Sequence, residues 1–354
     1  MQTVLIAAFG TFLGLGLAGA EMPNEALLVL SKGDHTLAIV DPASLKVVGK
    51  APVGEDPHEV VASADGKFAY VSNYGGGAYN TLANIDLLAQ KALPSIELGA
   101  LRGPHGLDFA GGKVWFTAEG AKAVASYDPA SKQIDWIMGT GQDRTHMLAV
   151  LEDQKRIVTT NIRSATVTIL DRVEGRQRPA AAGGPGGGPS GAAAAPRGPM
   201  GPPGGDWEET VVPVGPGAEG FDVSPDRRQL WTANAADGTV SVIDLTQKKV
   251  VETLPANVKS ANRLKFTTDG KLVLISSLRD ANLAVFDGAT HKEVKRVKVG
   301  SGAAGIQIDP NGARVFVACT PDNYVAVVDL KTLEVSGHLD AGPQPDGMAW
   351  AKRP

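Results

Sequence analysis

Six histidines occur in the 354-residue chain, and three of them, His58, His105 and His146, stand at the same point of a recurring segment. Reading that one position along the chain gives His58, His105, His146, Glu219, Asn262, Ala304 and Asp346. Imidazole and carboxylate are the donors that hold zinc and other transition ions. A histidine that titrates near neutrality also moves protons. His105, His146 and Glu219 come from consecutive segments and are the first choice for a divalent metal, with His58 and Asp346 second. His105, His146 and His58 are the candidate acid–base groups. The competing reading makes each histidine part of the repeat, bonded to neighbouring backbone.

A second set of polar residues falls in the turns that adjoin this position: Tyr74 with Asn73, Glu119, Asn161 with Arg163, Asn234, and Arg279. Arg102 and Arg144 shortly precede two of the histidine segments, and Asn262 shares the histidine register. Guanidinium forks suit carboxylate or phosphate, so the expected ligand is small and anionic or metal-associated. Solvated loop charge is the bland reading for each arginine, and turn capping for each asparagine.

The elements that must carry these residues follow from an internal period. An aspartate closes an apolar run at Asp41, Asp86, Asp128, Asp171, Asp244, Asp287 and Asp329, at spacings of 45, 42, 43, 73, 43 and 42 residues. The long interval holds a Gly/Pro/Ala tract, Pro179 to Gly205, too poor in large apolar groups to offset ordering entropy and so expected to be disordered. Without it the period is restored. Units of about 42 residues match four-stranded propeller blades.

The turn residues agree with that period. Asp65-Gly66, Gly111-Gly112, Asp269-Gly270 and Asn311-Gly312 are pairs that supply positive φ for tight hairpins. Asp41-Pro42 and Asp128-Pro129 combine a side chain that bonds forward with a preset φ. Seven innermost strands are expected, starting at His58, His105, His146, Glu219, Asn262, Ala304 and Asp346. The last copy has no blade after it, and the first blade, from about Glu25, has only three strands of its own. The expected fold is therefore all-β: a seven-bladed β-propeller of four-stranded antiparallel blades, its ring closed by the C-terminal strand, which leaves no exposed edge. Residues 21–354 form one domain, with 179–205 as an insert in blade 4.

Tyr70-Val71-Ser72-Asn73, Val158-Thr159-Thr160-Asn161, Trp231-Thr232-Ala233-Asn234 and the run Asp237–Leu245 resemble the bacterial repeat family named for Tyr-Val-Thr-Asn, the YVTN-type seven-bladed β-propellers. The resemblance covers essentially the whole chain after the leader and implies a scaffold that serves several activities. Asn73-Tyr74-Gly75-Gly76-Gly77 looks like the bacterial lactonase propellers. Gly103-Pro104-His105-Gly106-Leu107 with Trp115-Phe116-Thr117-Ala118-Glu119 looks like virginiamycin B lyase and its relatives. Each of these covers one blade.

Composition narrows the class. Lys and Arg number 34 against 38 Asp and Glu, for a net charge of −4 without a basic cluster, which argues against a nucleic-acid footprint. Gly 43 and Pro 23 far exceed the ~12% usual for the two together, excluding long helices. The apolar run Val4 to Leu17 is too short for a comfortable span and ends in Ala18-Gly19-Ala20, reading as a secretory signal, residues 1–20, cut after Ala20. No Lys or Arg precedes that run. An exported protein, periplasmic or secreted, is expected, with no membrane span after cleavage. Cys319 is the single cysteine and reads as a small buried hydrophobe, so no internal disulfide exists. No Cys-x-x-Cys-His or Gly-x-x-x-x-Gly-Lys motif occurs, excluding c-type haem and nucleotide hydrolysis by a P-loop. The expected activity is hydrolysis of a lactone or a lyase reaction on a cyclic ester. The alternative is a non-catalytic scaffold for a ligand or another exported protein, and a monomer is expected.

Overall fold

A computed structural model of the chain describes residues 22–173 and 206–353. Among them, the strands form seven four-stranded antiparallel sheets arranged as the blades of a propeller. Blade 1 joins the C-terminal strand Pro345–Lys352 to Glu25–Ser31, Thr36–Asp41 and Lys46–Pro52. The two ends of the chain pair from Glu25 opposite Lys352 to Val29 opposite Met348, so the ring is closed as expected. No helix among the described residues is long and apolar enough to cross a membrane.

The middle strands of each blade are buried on both faces and read as near-continuous apolar runs, as in Phe68–Asn73 and Tyr324–Asp329. Outer strands, such as Gln133–Gly139, alternate between exposed and half-buried residues. The core lies between blades. Leu27, Val29, Ala38 and Val40 of blade 1, for example, pack on Phe316, Ala318, Val325 and Val327 of blade 7.

The period-marking aspartates work as turn staples. Asp41 accepts from the Ala43 N–H at 3.1 Å, Asp128 from Ala130 at 2.8 Å and Asp287 from Ala289 at 3.1 Å. Asp171 departs from this pattern and pairs with Arg156 and Lys248. Its hairpin runs on to Val173 opposite Asp206. The residues that join those strands, with the whole Pro179 to Gly205 tract, lie outside the described residues, as does the expected signal at residues 1–20. In the hairpins at Asp65-Gly66 and Asp269-Gly270 only the glycine takes positive φ. The aspartate instead accepts from Ser63 or Thr267 and from the N–H of Lys67 or Lys271.

The inner strands are Pro57–Ala62, Pro104–Ala110, Thr145–Leu151, Ala218–Val223, Ala261–Phe266, Ala303–Ile308 and Pro345–Lys352. All seven break their ladder at the same place: Pro57 pairs with Asn73, but the next pair is Val60 with Val71, and Pro104 and Leu107, like Pro345 and Met348, repeat the break. Such a bulge leaves backbone groups unpaired and re-aims side chains. The third residue of each Tyr-Val-Thr-Asn-like motif repairs this in four blades. The N–H groups of Glu59, Gly106, Met147 and Arg263 donate to the hydroxyls of Ser72, Thr117, Thr160 and Ser276. Thr117, Thr160 and Ser276 then donate to carbonyls of the next blade, at His146, Glu219 and Ala304. In these three blades the motif thus ties one inner strand to the next.

Candidate functional site

The bulge presents the seven residues of the histidine register at one mouth of the central channel. A second ring comes from the first residue after each second strand: Lys32, Tyr74, Glu119, Ile162, Ala235, Leu278 and Thr320. The backbone that delivers the first ring is unusual. Two residues before each member, Asp56, Gly103, Arg144, Gly217, Ser260, Gly302 and Gln344 all have φ between +50° and +78°. Three of the seven are glycine, which adopts this region freely; the other four are in a conformation that L side chains populate rarely.

A cavity of about 490 Å³ opens at this mouth, lined among others by Lys32, His58, Tyr74, His105, Arg144, His146, Glu219, Asn262, Arg263 and Asp346. The three histidines stand side by side. His58 and His105 have ring centroids 5.0 Å apart, and His105 and His146 are 3.7 Å apart. Tyr74 meets both His58 and His105 edge-on.

His146 is 2% exposed. Its Nδ1 lies 2.5 Å from Glu119 Oε1 and its Nε2 2.9 Å from Glu219 Oε1. Carboxylates only accept, so both ring nitrogens must donate, and the ring is an imidazolium. Burial works against that charge, but Glu219 and Glu119 outweigh it and raise the His146 pKa. The same contacts prevail over burial to hold Glu119 and Glu219 below the usual carboxylate range. The chain of bonds extends outwards: the Tyr74 hydroxyl donates to Glu119 at 2.6 Å, and Arg144 reaches both Glu119 and Tyr74 at 3.3 Å. Burial and then Glu119 push Tyr74 up to about 12.

His105 has the opposite environment. Burial first, and then the adjacent His146 cation, push its pKa well below the ordinary value, and its Nδ1 is buried without a hydrogen-bond partner. His58 is half-buried. Its pKa is also lowered, by burial and Lys32, with Asp346 and Asp56 offsetting only part. One charged histidine and two neutral ones therefore share the mouth.

The divalent ion expected on His105, His146, Glu219 and Asp346 does not fit this arrangement. Both nitrogens of His146 are bonded to carboxylates, and Asp346 is held by Lys32 at 3.2 Å. Among the described residues no three His, Cys, Asp or Glu side chains are grouped to hold an ion.

The remaining expected site residues divide into two groups. Asn262 reaches Glu219 at 3.3 Å. Asn73, Asn161 and Asn234 are buried within their blades, where each side-chain amide donates to a threonine at the start of the third strand: Thr81, Thr166 and Thr239. Arg102 bonds the Ala78 carbonyl, Arg163 is exposed, and Arg279 lines a separate cleft with Lys259 and Asp237. Cys319 is buried, as expected.

Sequence reasoning missed Lys32, Asp56, Glu59 and Arg263. Lys32 follows Ser31 at the register of Tyr74 and Glu119, a signal hidden because its blade is completed from the far end of the chain. Arg263 follows Asn262 and crosses the channel to pair with Glu59 of blade 2.

Residues 206–314 match the family model described as YNCE-like β-propeller. The match and the architecture agree with the YVTN-type resemblance. No curated protein matches the chain in sequence. Among solved structures, a functionally unknown protein from Desulfotomaculum acetoxidans aligns at TM-score 0.71 and 11% identity, over 93% of this chain and 99% of that one. A candidate 6-phosphogluconolactonase from Bacteroides fragilis aligns at TM-score 0.67 and 13% identity, over 94% and 99%. The dihydro-heme d1 dehydrogenase NirN aligns at TM-score 0.62 and 15% identity; 90% of this chain covers 64% of that one. At these identities the likeness is one of fold.

Proposed function

We propose that the protein is an exported propeller that binds a small oxygen-rich ligand in the mouth cavity and opens a lactone by hydrolysis. The observation that carries this reading is the pairing of a fixed imidazolium, His146, with two neutral imidazoles, His105 and His58, in one cavity of about 490 Å³. His58 is the general base: it is neutral, half-buried and on the cavity wall, its Nδ1 donating to the Asp56 carbonyl at 3.1 Å and its Nε2 accepting from the Lys32 ammonium at 2.8 Å, so Lys32 must swing aside for that lone pair to take a proton. It takes a proton as water adds to the lactone carbonyl, while Arg144 polarises the carbonyl oxygen. The ring C–O bond then breaks, and the departing alkoxide recovers the proton from His58. The hydroxy acid formed ionises, releasing one proton per turnover. His146 keeps its charge throughout, because Glu119 and Glu219 hold both nitrogens. The lactonase-type neighbour supports this at the level of fold only.

Proton release from a panel of five- and six-membered sugar lactones, followed at constant pH, tests the reading. Hydrolysis above the spontaneous rate is expected, and His58→Ala should lower it by ~10²-fold or more. Absence of hydrolysis over the whole panel would leave a non-catalytic binding scaffold. Export is tested separately: native material should begin at Glu21, and an intact Met1 would overturn it.

A further inference from the structure

Arg263 spans the channel. Its Nη2 is held by Glu59 of blade 2, and its Nη1 lies 3.8 Å from Glu219 Oε1, a distance that leaves the ion pair without a hydrogen bond. The residue is buried, and Nη1 has no hydrogen-bond partner. Arg263 lines both the mouth cavity and a deeper channel chamber of about 370 Å³ whose walls include Leu107, Met147, Phe221, Met348 and Trp350. The Arg263–Glu59 pair is thus the floor of the mouth. A buried donor left unpaired is costly, and such groups in native structures normally have a partner. Among the described residues lining this cavity, the other such atom is His105 Nδ1. Both atoms are covered as the side chains stand, but both side chains line the mouth cavity, so a small turn of either lets a ligand or ordered water there pair them.

Charge decides which ligand. Lys32, Arg144, Arg263 and the His146 imidazolium face Asp56, Glu59, Glu119, Glu219 and Asp346, four cations against five carboxylates. Every cation is already paired. The arginines therefore do not create the anion site that their side chains suggest in the sequence. A dianion would meet a site with no spare positive charge and would displace carboxylates from their partners, whereas an uncharged polyhydroxy ligand needs only hydrogen bonds.

Resting on the lactone reading, we propose that the mouth selects an uncharged, non-phosphorylated sugar lactone, with Arg263 Nη1 donating to one of the ligand's hydroxyl oxygens and His105 Nδ1 bonding another, while its carbonyl faces Arg144. Glu59 is a positioning residue that stretches the guanidinium across the floor.

Calorimetric titration of the whole protein with D-gluconolactam, an uncharged analogue that is not hydrolysed, tests this against glucose 6-phosphate and inorganic phosphate. The lactam should bind about tenfold or more tighter than either phosphate probe. Arg263→Gln should weaken the lactam by about tenfold or more, the effect of losing a hydrogen bond to a charged group. Glu59→Gln should weaken it less while leaving the preference over phosphate intact, and it provides a reading if Arg263→Gln does not fold. Phosphate probes binding as tightly as the lactam, undiminished lactam affinity in folded Arg263→Gln, or no lactam binding at 10 mM on the order of a weak-ligand limit would each overturn the proposal. Lactam binding without lactone hydrolysis would refute the hydrolase reading and leave this one standing. Hydrolysis that ignores Arg263 would do the reverse.

Discussion

His105 and His146 lie with ring centroids 3.7 Å apart and their planes tilted by 34°, yet one is clamped between two carboxylates and the other has a buried nitrogen with no partner. Two adjacent imidazoles cannot both be charged at little cost, and the surrounding carboxylates choose His146.

Removing that imidazolium leaves Glu119 and Glu219 buried without their shared cation. His146→Gln should destabilise the protein by about 3–5 kcal/mol, as breaking a buried pair does, measured by urea unfolding at pH 6.

The pH dependence of that loss follows from the sign of the shift. The folded-state pKa of His146 is raised, so its stabilisation is fully present below the unfolded value of about 6.5 and is lost as pH rises through the folded value. The difference between wild type and His146→Gln should shrink on going from pH 6 to pH 9. His105 acts oppositely: its lowered pKa makes His105→Phe relatively more favourable as pH falls below about 6.5. Parallel unfolding curves at pH 5, 6, 7 and 9 check both signs.

Arg144 sits at φ +56°, where glycine serves in blades 3, 5 and 7. Arg144→Gly relieves backbone strain on the order of 1 kcal/mol while deleting the side chain that meets Glu119 and Tyr74. Melting temperature should hold or rise, and lactone hydrolysis should fall. A drop in both would show that the guanidinium stabilises the fold more than the conformation strains it.

Gly305 and Gly347 let inner strands touch. A Cβ on either would come within 2.2 Å of a backbone carbonyl, that of Asp346 or His58. Gly347→Ala should cost about 1–3 kcal/mol, the range for overpacking, and shift His58 away from His105. Urea unfolding and the His58 proton resonances would show this.

Val173 and Asp206 already pair directly. Replacing residues 174–205 by a two-residue Asn-Gly turn should therefore leave the melting temperature within a few degrees of wild type. Metal analysis of the purified protein is expected to find no stoichiometric ion, because His146 has no free nitrogen; one ion per chain, lost in His105→Ala, would restore the metal reading.

The number of blades, their four strands and the closing of the ring were legible because the aspartate turns and apolar strands recur at a fixed period. The same period identified His58, His105, His146 and Glu219 as neighbours, since equivalent positions of a repeat must share one rim. Tertiary structure decided what the rim does. Asn73, Asn161 and Asn234 look like site residues in sequence, but the bulge beside them turns their amides to threonines inside the blade. Arg144 reads as a free anion binder, although Glu119, from a different blade, consumes its charge. Lys32 was hidden because its blade is completed from the far end of the chain, where its partner Asp346 lies, and the Arg263–Glu59 span because its two residues face each other across the ring, at a separation no local spacing encodes. Protonation of one histidine over its neighbour depends on carboxylates within 3 Å of His146, a distance set only when seven blades close into a circle.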